Sequence, residues 1–497
     1  MHTYDPIDRF VAAAVAWPDR RALEVGSEKL TYTELDRRSD HLAAQLVEQG
    51  LSGRRVAFSA RRDSSWAYTV FLGLFKAGCT AVPLLPEGPL KRWRSMLEGA
   101  EVDSILAHPS PDALEVELQQ AGREFNWIRM SATKDTRPFQ RKPIAPDAEA
   151  YVMFTSGSTG GPKGVAVSRG NMSAYLANFL PLLDLGPTDR CSQHFALAFD
   201  LSMHDLFVTW SVGACLCVNG DLGGLRAASW ARREEVTTWF AAPSQVAVMR
   251  RSRTLAQGSL PLLRLVLFCG EALPWELVEA MHTAAPKARI LNLYGPTEAT
   301  IAVTAYDASL PTGRSGVVPI GKPMGENTVH ILPFDGLPDG EGELLLGGPQ
   351  VTGGYINSKE TTQKAFVQLE EPKGTWYRTG DHVRLDDQGE IQFIGRIDHQ
   401  VKVLGYRVEP GEVDEALMTQ LRGGNAVTVA VTLNGVVRLV SYIDVEADTT
   451  ALHEHLRRSL PPAWMPERIE QMAELPRTAN GKWDRTALMK MARNETA

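Results

Sequence analysis

Residues 151–168 read YVMFTSGSTGGPKGVAVS. The apolar run YVMF predicts a buried strand, and VAV (165–167) predicts a second. Between them, TSGSTGGPKG (155–164) places four glycines, four hydroxyls and one lysine in ten residues. Glycine backbone can aim several N–H groups at one anion. Thr155, Ser156, Ser158 and Thr159 add hydroxyl donors, Gly157 and Gly160 lie among them, and Lys163 adds a cation. This combination suits the β- and γ-phosphates of a nucleotide. It is not a G-x-x-x-x-G-K-[ST] loop, because Pro162 precedes the lysine and Gly164 follows it. A flexible Gly/Ser hairpin is the plain structural alternative.

Working outward, the first 110 residues alternate helical and strand patterns. ELDRRSDHLAAQLVEQG (34–50) puts Leu35, Leu42, Leu46 and Val47 on one helical face. RRVAFSA (54–60) reads as a buried strand, SSWAYTVFLGLFKAG (64–78) as a helix ending at Gly78, and TAVPLLP (80–86) as a strand. The rhythm predicts doubly wound α/β layers. Segment 131–147, with Pro138, Pro143 and Pro146, reads as a surface connection. After about residue 330, runs such as ELLLGG and EIQFIG alternate with Gly-Asp turns, which predicts a β-rich subdomain. VTVAVTL, VRLVSYI, a helix over 451–459 and LPPAWMP (460–466) suggest a small α+β unit at the end. The expected division is a large unit, 1–397, and a small one, 398–497, with the boundary at Asp398.

The chain has 497 residues, 44% hydrophobic and 22% charged, enough to bury a sizeable core. With 52 Lys and Arg against 59 Asp and Glu, the net charge of −7 argues against nucleic acid or a membrane surface as partner. No apolar run reaches the roughly 18 residues of a membrane span. MHTYDPIDRF (1–10) lacks the apolar core of a signal peptide. The five cysteines, Cys79, Cys191, Cys215, Cys217 and Cys269, are scattered and read as buried free thiols rather than a zinc site, which fits the cytoplasm.

Other motifs follow the glycine-rich loop in order. NLYGPTEAT (292–300), YRTGD (377–381), GRIDHQVKVLGYRVEPGEVDEAL (395–417) and LPRTANGKWDR (475–485) come after it; LTYTEL (30–35) and FKAGCTAVPL (75–84) come before it. Together they resemble the adenylate-forming superfamily of acyl-CoA synthetases, luciferases and nonribosomal-peptide adenylation domains. The resemblance covers essentially the whole chain. It implies that a carboxylate and ATP give an acyl-adenylate and pyrophosphate. Such a reaction needs positioning and cations more than covalent help from the protein.

The resemblance assigns roles residue by residue. Glu298 would hold Mg²⁺, Tyr294 would stack on adenine beside Gly295 and Thr297, and Asp381 would accept the ribose hydroxyls. Arg396 would reach the ribose or phosphates. Lys482 would bridge the substrate carboxylate and the α-phosphate, with Trp483 replacing the aliphatic residue common there. Asp398 would be the hinge, moving Lys482 out and the GYR loop (405–407) in for attack by a thiol.

HFALAFDLSMHDLF (194–207) resembles the segment of amino-acid-activating members whose aspartate binds the substrate ammonium. Asp200 fills that place, and a buried carboxylate is sensible when so paired; a helix N-cap before Leu201 is its other reading. His194 aligns with an aromatic gate near the carboxylate, or is a core histidine. By alignment the side-chain pocket comprises Leu201, His204, Ala241 and Leu267, together with Cys269, Leu293 and Ile301. None is an acid or lysine, which suits a small substrate of the alanine, glycine or serine type. FDLS, FCGEALP (268–274) and YGPTEATIAVT (294–304) look most like D-alanine–carrier-protein ligases. Fifteen residues follow Lys482 without a Gly-x-Ser attachment motif, so the expected acceptor is a separate phosphopantetheinylated carrier protein. An acyl- or aryl-CoA synthetase is the alternative enzyme, and a catalytically dead nucleotide-sensing relative the alternative of another class.

Overall fold

The computed structural model describes residues 4–121, 125–129, 139–156, 161–220, 226–309, 313–334, 336–421, 423–433, 436–478 and 482–494. Three sheets are built from residues before 397. A six-stranded sheet runs in the order Asn126–Ile128, Ser104–Leu106, Arg55–Ser59, Thr80–Leu84, Glu149–Thr155, Lys163–Ser168. Its strands pair in parallel except the last two, which form an antiparallel hairpin. A nine-stranded sheet contains Arg289–Tyr294, Leu265–Phe268, Thr238–Ala241, Arg190–Gln193 and Cys215–Val218 as a parallel centre. The doubly wound layers expected from the sequence are therefore present.

The helices between the sheets follow their apolar stripes. Tyr32–Glu48 begins with a capping box, in which the Thr31 hydroxyl accepts from the Glu34 N–H and Glu34 answers the Thr31 N–H. It buries Leu35, Leu42 and Leu46. Trp66–Ala77 is buried from Ala67 onward and ends at Gly78, whose φ of 72° makes it the left-handed cap. These helices, with Leu201–Ser211, fill the largest core, between the two sheets.

The β-rich region after 330 is a five-stranded antiparallel sheet centred on Gly374–Leu385, flanked by Glu341–Gly347, Phe366–Leu369 and Ile391–Arg396. Beyond it, strands pair only among themselves within the described residues: Val401–Val403 with Tyr406–Val408, and Ala426–Leu433 with Val436–Ile443 and Arg468–Gln471. Two apolar clusters there draw their buried members entirely from residues 403–492. The loop over 139–147 carries no regular secondary structure, as its prolines suggest.

All five cysteines are buried and free. Cys215 and Cys217 lie near the Glu24 carboxylate, but that carboxylate is ion-paired to Arg190 at 2.7 Å, which opposes a second cation. No described helix is long and apolar enough to cross a membrane.

Candidate active site

The strands Glu149–Thr155 and Arg289–Tyr294 end beside one cavity of about 720 Å³. Its wall includes Thr155, Ser156, Asp200, Tyr294, Gly295 and Thr297, and later in the chain Asp381 and Arg396. Motifs more than 200 residues apart thus meet. Gly157, Ser158, Thr159 and Gly160 lie outside the described residues. At the near end of that loop, the Thr155 and Ser156 hydroxyls are buried and have no hydrogen-bond partner among the described residues. Buried hydroxyls of this kind normally meet a partner, and phosphate oxygens would provide one. Lys163 stands at the far end, 5.5 Å from the Tyr355 ring; burial and the Arg407 charge lower its pKa.

Tyr294 is buried, and its hydroxyl donates to Asp381 Oδ2 at 2.5 Å. Arg396 donates to Asp381 Oδ1 at 2.9 Å, to Asp398 at 2.6 Å and to Gln400 at 2.8 Å. Arg396 is therefore neither a free phosphate ligand nor a simple surface ion pair. It ties the ribose-type aspartate to the expected hinge.

Glu298 is fully buried, so it is not a solvated loop glutamate. Arg407 Nη1 lies 3.0 and 3.2 Å from its two oxygens, and the Tyr355 hydroxyl donates at 2.6 Å. Burial alone would raise its pKa; the Arg407 charge and then the Tyr355 bond hold it below the usual value. The carboxylate is anionic, as a divalent metal requires, but Arg407 stands against it here as Arg190 does against Glu24, so a metal at Glu298 requires that guanidinium to move away.

Asp200 occupies the N-cap position of Leu201–Ser211 without a side-chain capping bond of the usual kind. The capping alternative therefore does not explain it. It is buried on the cavity wall, and burial pushes its pKa up to about 6 against bonding to Thr297 and the charge of Lys402. Among the described residues it forms no ion pair.

The side-chain pocket read from alignment requires correction. Leu201 lines the cavity, whereas Ala241, Leu267, Cys269, Leu293 and Ile301 are packed in the core and are not among the lining residues. His204 is also packed away: its Nδ1 is 2.6 Å from the Tyr175 hydroxyl, and Phe179 and Phe240 cover its ring. Burial pushes its pKa down to about 3, so it is neutral. His194 is a core histidine rather than a gate. It lies against Trp230 and Trp239, near Gln245 and Asn219, with its pKa pushed down to about 3 by burial and Arg62. Phe199, immediately before Asp200, is an aromatic group that does stand on the wall.

Lys482 is exposed in a hairpin turn and is not among the lining residues. The cavity receives the GYR loop instead. Leu404 and Gly405 have φ of 53° and 81°, forming a tight two-residue turn between Val403 and Tyr406. Gly405 N–H donates to Glu271 Oε1 at 2.6 Å, and Tyr406 packs edge-on against Phe199 with centroids 4.4 Å apart. Glu271 takes the Ser244 N–H on its other oxygen at 2.8 Å, so it links this loop to the helix Pro243–Arg251. Glu271, Lys402 and Phe199 lay within quoted motifs, yet only their three-dimensional meeting exposes their roles.

The strands of a glycine-rich hairpin and a buried Tyr–Asp pair meet at one cavity, with the buried Glu298 next to its wall residue Thr297, the arrangement of an adenylate-forming site. The model of the AMP-binding enzyme family matches residues 10–356, and the chain belongs to that family. Among curated relatives it is 34% identical to the AMB antimetabolite synthetase AmbB of Pseudomonas aeruginosa, over 96% of this chain and 38% of that protein. It is also 34% identical to a dimodular nonribosomal peptide synthase of Bacillus subtilis, over 97% of this chain and 20% of that one. The chain thus spans well under half of these relatives. Among solved structures it resembles the Vibrio cholerae adenylation domain AlmE in complex with glycyl-adenosine-5'-phosphate: TM-score 0.86, 30% identity, 99% of this chain and 98% of that one. Holo-PA1221, an NRPS protein containing adenylation and PCP domains, aligns at TM-score 0.85 and 25% identity over 98% and 84% of the two chains.

Proposed function

We propose that this enzyme activates a small amino acid, of the glycine, alanine or serine type, as its aminoacyl-adenylate with ATP and Mg²⁺. It then passes the acyl group to the phosphopantetheine thiol of a separate carrier protein. The observation that carries the amino-acid reading is Asp200, a buried cavity-wall carboxylate that forms no ion pair among the described residues. A substrate ammonium would be its counter-ion. The glycyl-adenylate bound by the similar adenylation domain AlmE supports a small substrate.

In this reading Asp200 fixes the ammonium and so presents the carboxylate to the α-phosphate. Thr155, Ser156, Lys163 and the intervening loop hold the phosphates, while Tyr294 and Asp381 hold adenine and ribose. Glu298 would bind the metal, which supplies positive charge at the phosphates. Lys482 contributes its ammonium at the transferring phosphoryl group, where charge accumulates. Residues 1–397 and 398–497 act as two units joined at Asp398, and Lys482 and the 405–407 loop take turns at the cavity. The carrier-protein partner is supported by the adenylation–PCP architecture of holo-PA1221 and by the entry of Gly405 into the cavity.

Asp200→Asn tests the reading. Loss of a buried counter-ion costs roughly 3–5 kcal/mol, about a hundredfold to several thousandfold in kcat/KM. ATP affinity should be spared. If the variant activates glycine, alanine and serine like the parent, the coenzyme-A-ligase alternative becomes the better reading.

A further inference from the structure

The turn that carries Thr297 and Glu298 is followed by an unfavourable piece of backbone. Thr300 and Ile301 are consecutive non-glycine residues with φ of 55° and 74°. β-Branched side chains rarely adopt that conformation, so the surrounding structure must impose it. Both residues are fully buried.

The imposing group is Gln350. It is fully buried, in the segment after strand Glu341–Gly347. Its Nε2 donates to the carbonyls of Ala302 at 2.8 Å and Thr300 at 3.1 Å, with Ala299 at 3.4 Å. Its Oε1 accepts from Asn327 at 2.6 Å and from Asn178 at 3.0 Å. Its backbone carbonyl accepts the Thr300 hydroxyl at 2.6 Å. One amide thus gathers the carbonyls around the strained pair, while two asparagines fix its own orientation. On the opposite side a Cβ at Gly295 would lie 2.6 Å from Ala302 Cα, so the absent side chain leaves room for the loop.

The strap that bears Gln350 also touches the rest of the site. Thr352 N–H donates to the Glu298 carbonyl at 2.9 Å. Farther along, Ile356 N–H donates to the Gly164 carbonyl at 2.9 Å, and Tyr355 bonds the Glu298 carboxylate. The strap therefore spans from the glutamate to the base of the glycine-rich hairpin.

We infer that Gln350 is a positioning residue for adenylation: its side-chain amide holds the left-handed Thr300–Ile301 backbone and thereby sets Glu298 and Thr297 against the phosphate loop and Asp200. This rests on the proposed roles of those residues. Gln350 touches no substrate; it acts through the turn. Replacing its amide with a thioether of similar length removes the three donor contacts without opening a large cavity.

The test uses the full chain in ATP–pyrophosphate exchange with glycine, alanine and serine, alongside calorimetric ATP binding and thermal melting. Gln350→Met, assayed well below its melting temperature, should lose about ten- to a hundredfold in kcat, the scale of a small misplacement. ATP affinity should stay within about threefold, since ground-state binding is retained. Asn327→Ala, which frees the amide's anchor, should lose less in the same direction. Combined with Glu298→Gln, either change should add little to the loss from Glu298→Gln alone, because both act on one group. A merely structural role would instead give multiplicative losses, and that result overturns the inference. So does a folded Gln350→Met with exchange within about twofold of the parent. If Gln350→Met does not fold, Asn327→Ala carries the same double-variant comparison. A parent without exchange would instead defeat the proposed function, a distinct outcome.

Discussion

Glu298 and Lys482 come from motifs of equal clarity, yet they stand at opposite extremes of burial. Glu298 is fully enclosed, bonded through both carboxylate oxygens and its backbone carbonyl, on a turn braced by Gln350. Lys482 is exposed and is not among the residues that line the cavity. The difference separates groups that must be preorganised from groups that must arrive. A metal or ammonium ligand works by being already in place, which requires burial and bracing. A group that serves one half-reaction and leaves for the other has to be loosely held where it waits.

The largest effect that sharpens this contrast is Lys482→Ala. Removing one cation from a developing phosphoryl charge should cost about 10²–10³ in exchange rate. ATP affinity by calorimetry should be nearly unchanged, because the residues proposed to hold the nucleotide all precede Asp398. Near-parental exchange would break the contrast: Lys482 would then be the turn lysine that its exposure alone suggests.

Arg407→Met probes the group that stands at Glu298 in this orientation. It should slow transfer to a carrier-protein thiol by about 10–100-fold, as expected when a positioning contact is lost, and reduce exchange by much less. Single-turnover transfer from pre-formed aminoacyl-adenylate separates the two. Equal losses in both half-reactions would mean that the loop does not take turns with Lys482.

A smaller effect follows from Asp200, whose pKa burial pushes up to about 6. Below that value the carboxyl is neutral and cannot pair with an ammonium; above it the anion is present. The KM for the amino acid should therefore rise as pH falls, by about tenfold between pH 7 and pH 5 for a single group titrating near 6. Asp200→Asn should flatten the profile. A parent profile with no dependence in that window would contradict a counter-ion role.

The smallest effect is at Trp483. The Arg477 guanidinium sits 3.7 Å from its ring centroid, a cation–π contact beside Lys482. Trp483→Leu should cost about 0.5–1 kcal/mol of stability by chemical denaturation and leave exchange nearly unchanged. A large loss of exchange would mean that the turn is preorganised after all.

What was legible in the sequence follows the same division. The two strands within 151–168 and the helix from Tyr32 to Glu48 are local, written in apolar spacing and a capping box, and both formed as read. The cavity's Tyr294, Asp381 and Thr297 were legible because motif order carried them. The bracing by Gln350 was not, since a glutamine in GGPQV has no local signal; its meaning comes from Thr300, Asn178 and Asn327, far away in the chain. His194 and His204 misled because a histidine type suggests chemistry, whereas complete burial among aromatic rings makes each neutral and structural. Gly405 meeting Glu271 joins loops 134 residues apart, which no periodicity encodes.

The central claim, that this site activates an amino acid through its ammonium, is tested most directly by ATP–pyrophosphate exchange over glycine and the common D- and L-amino acids, with propionate as the alanine analogue lacking the amino group. The account predicts strong exchange with glycine, alanine or serine and little with propionate. Propionate exchanging as well as alanine would contradict it.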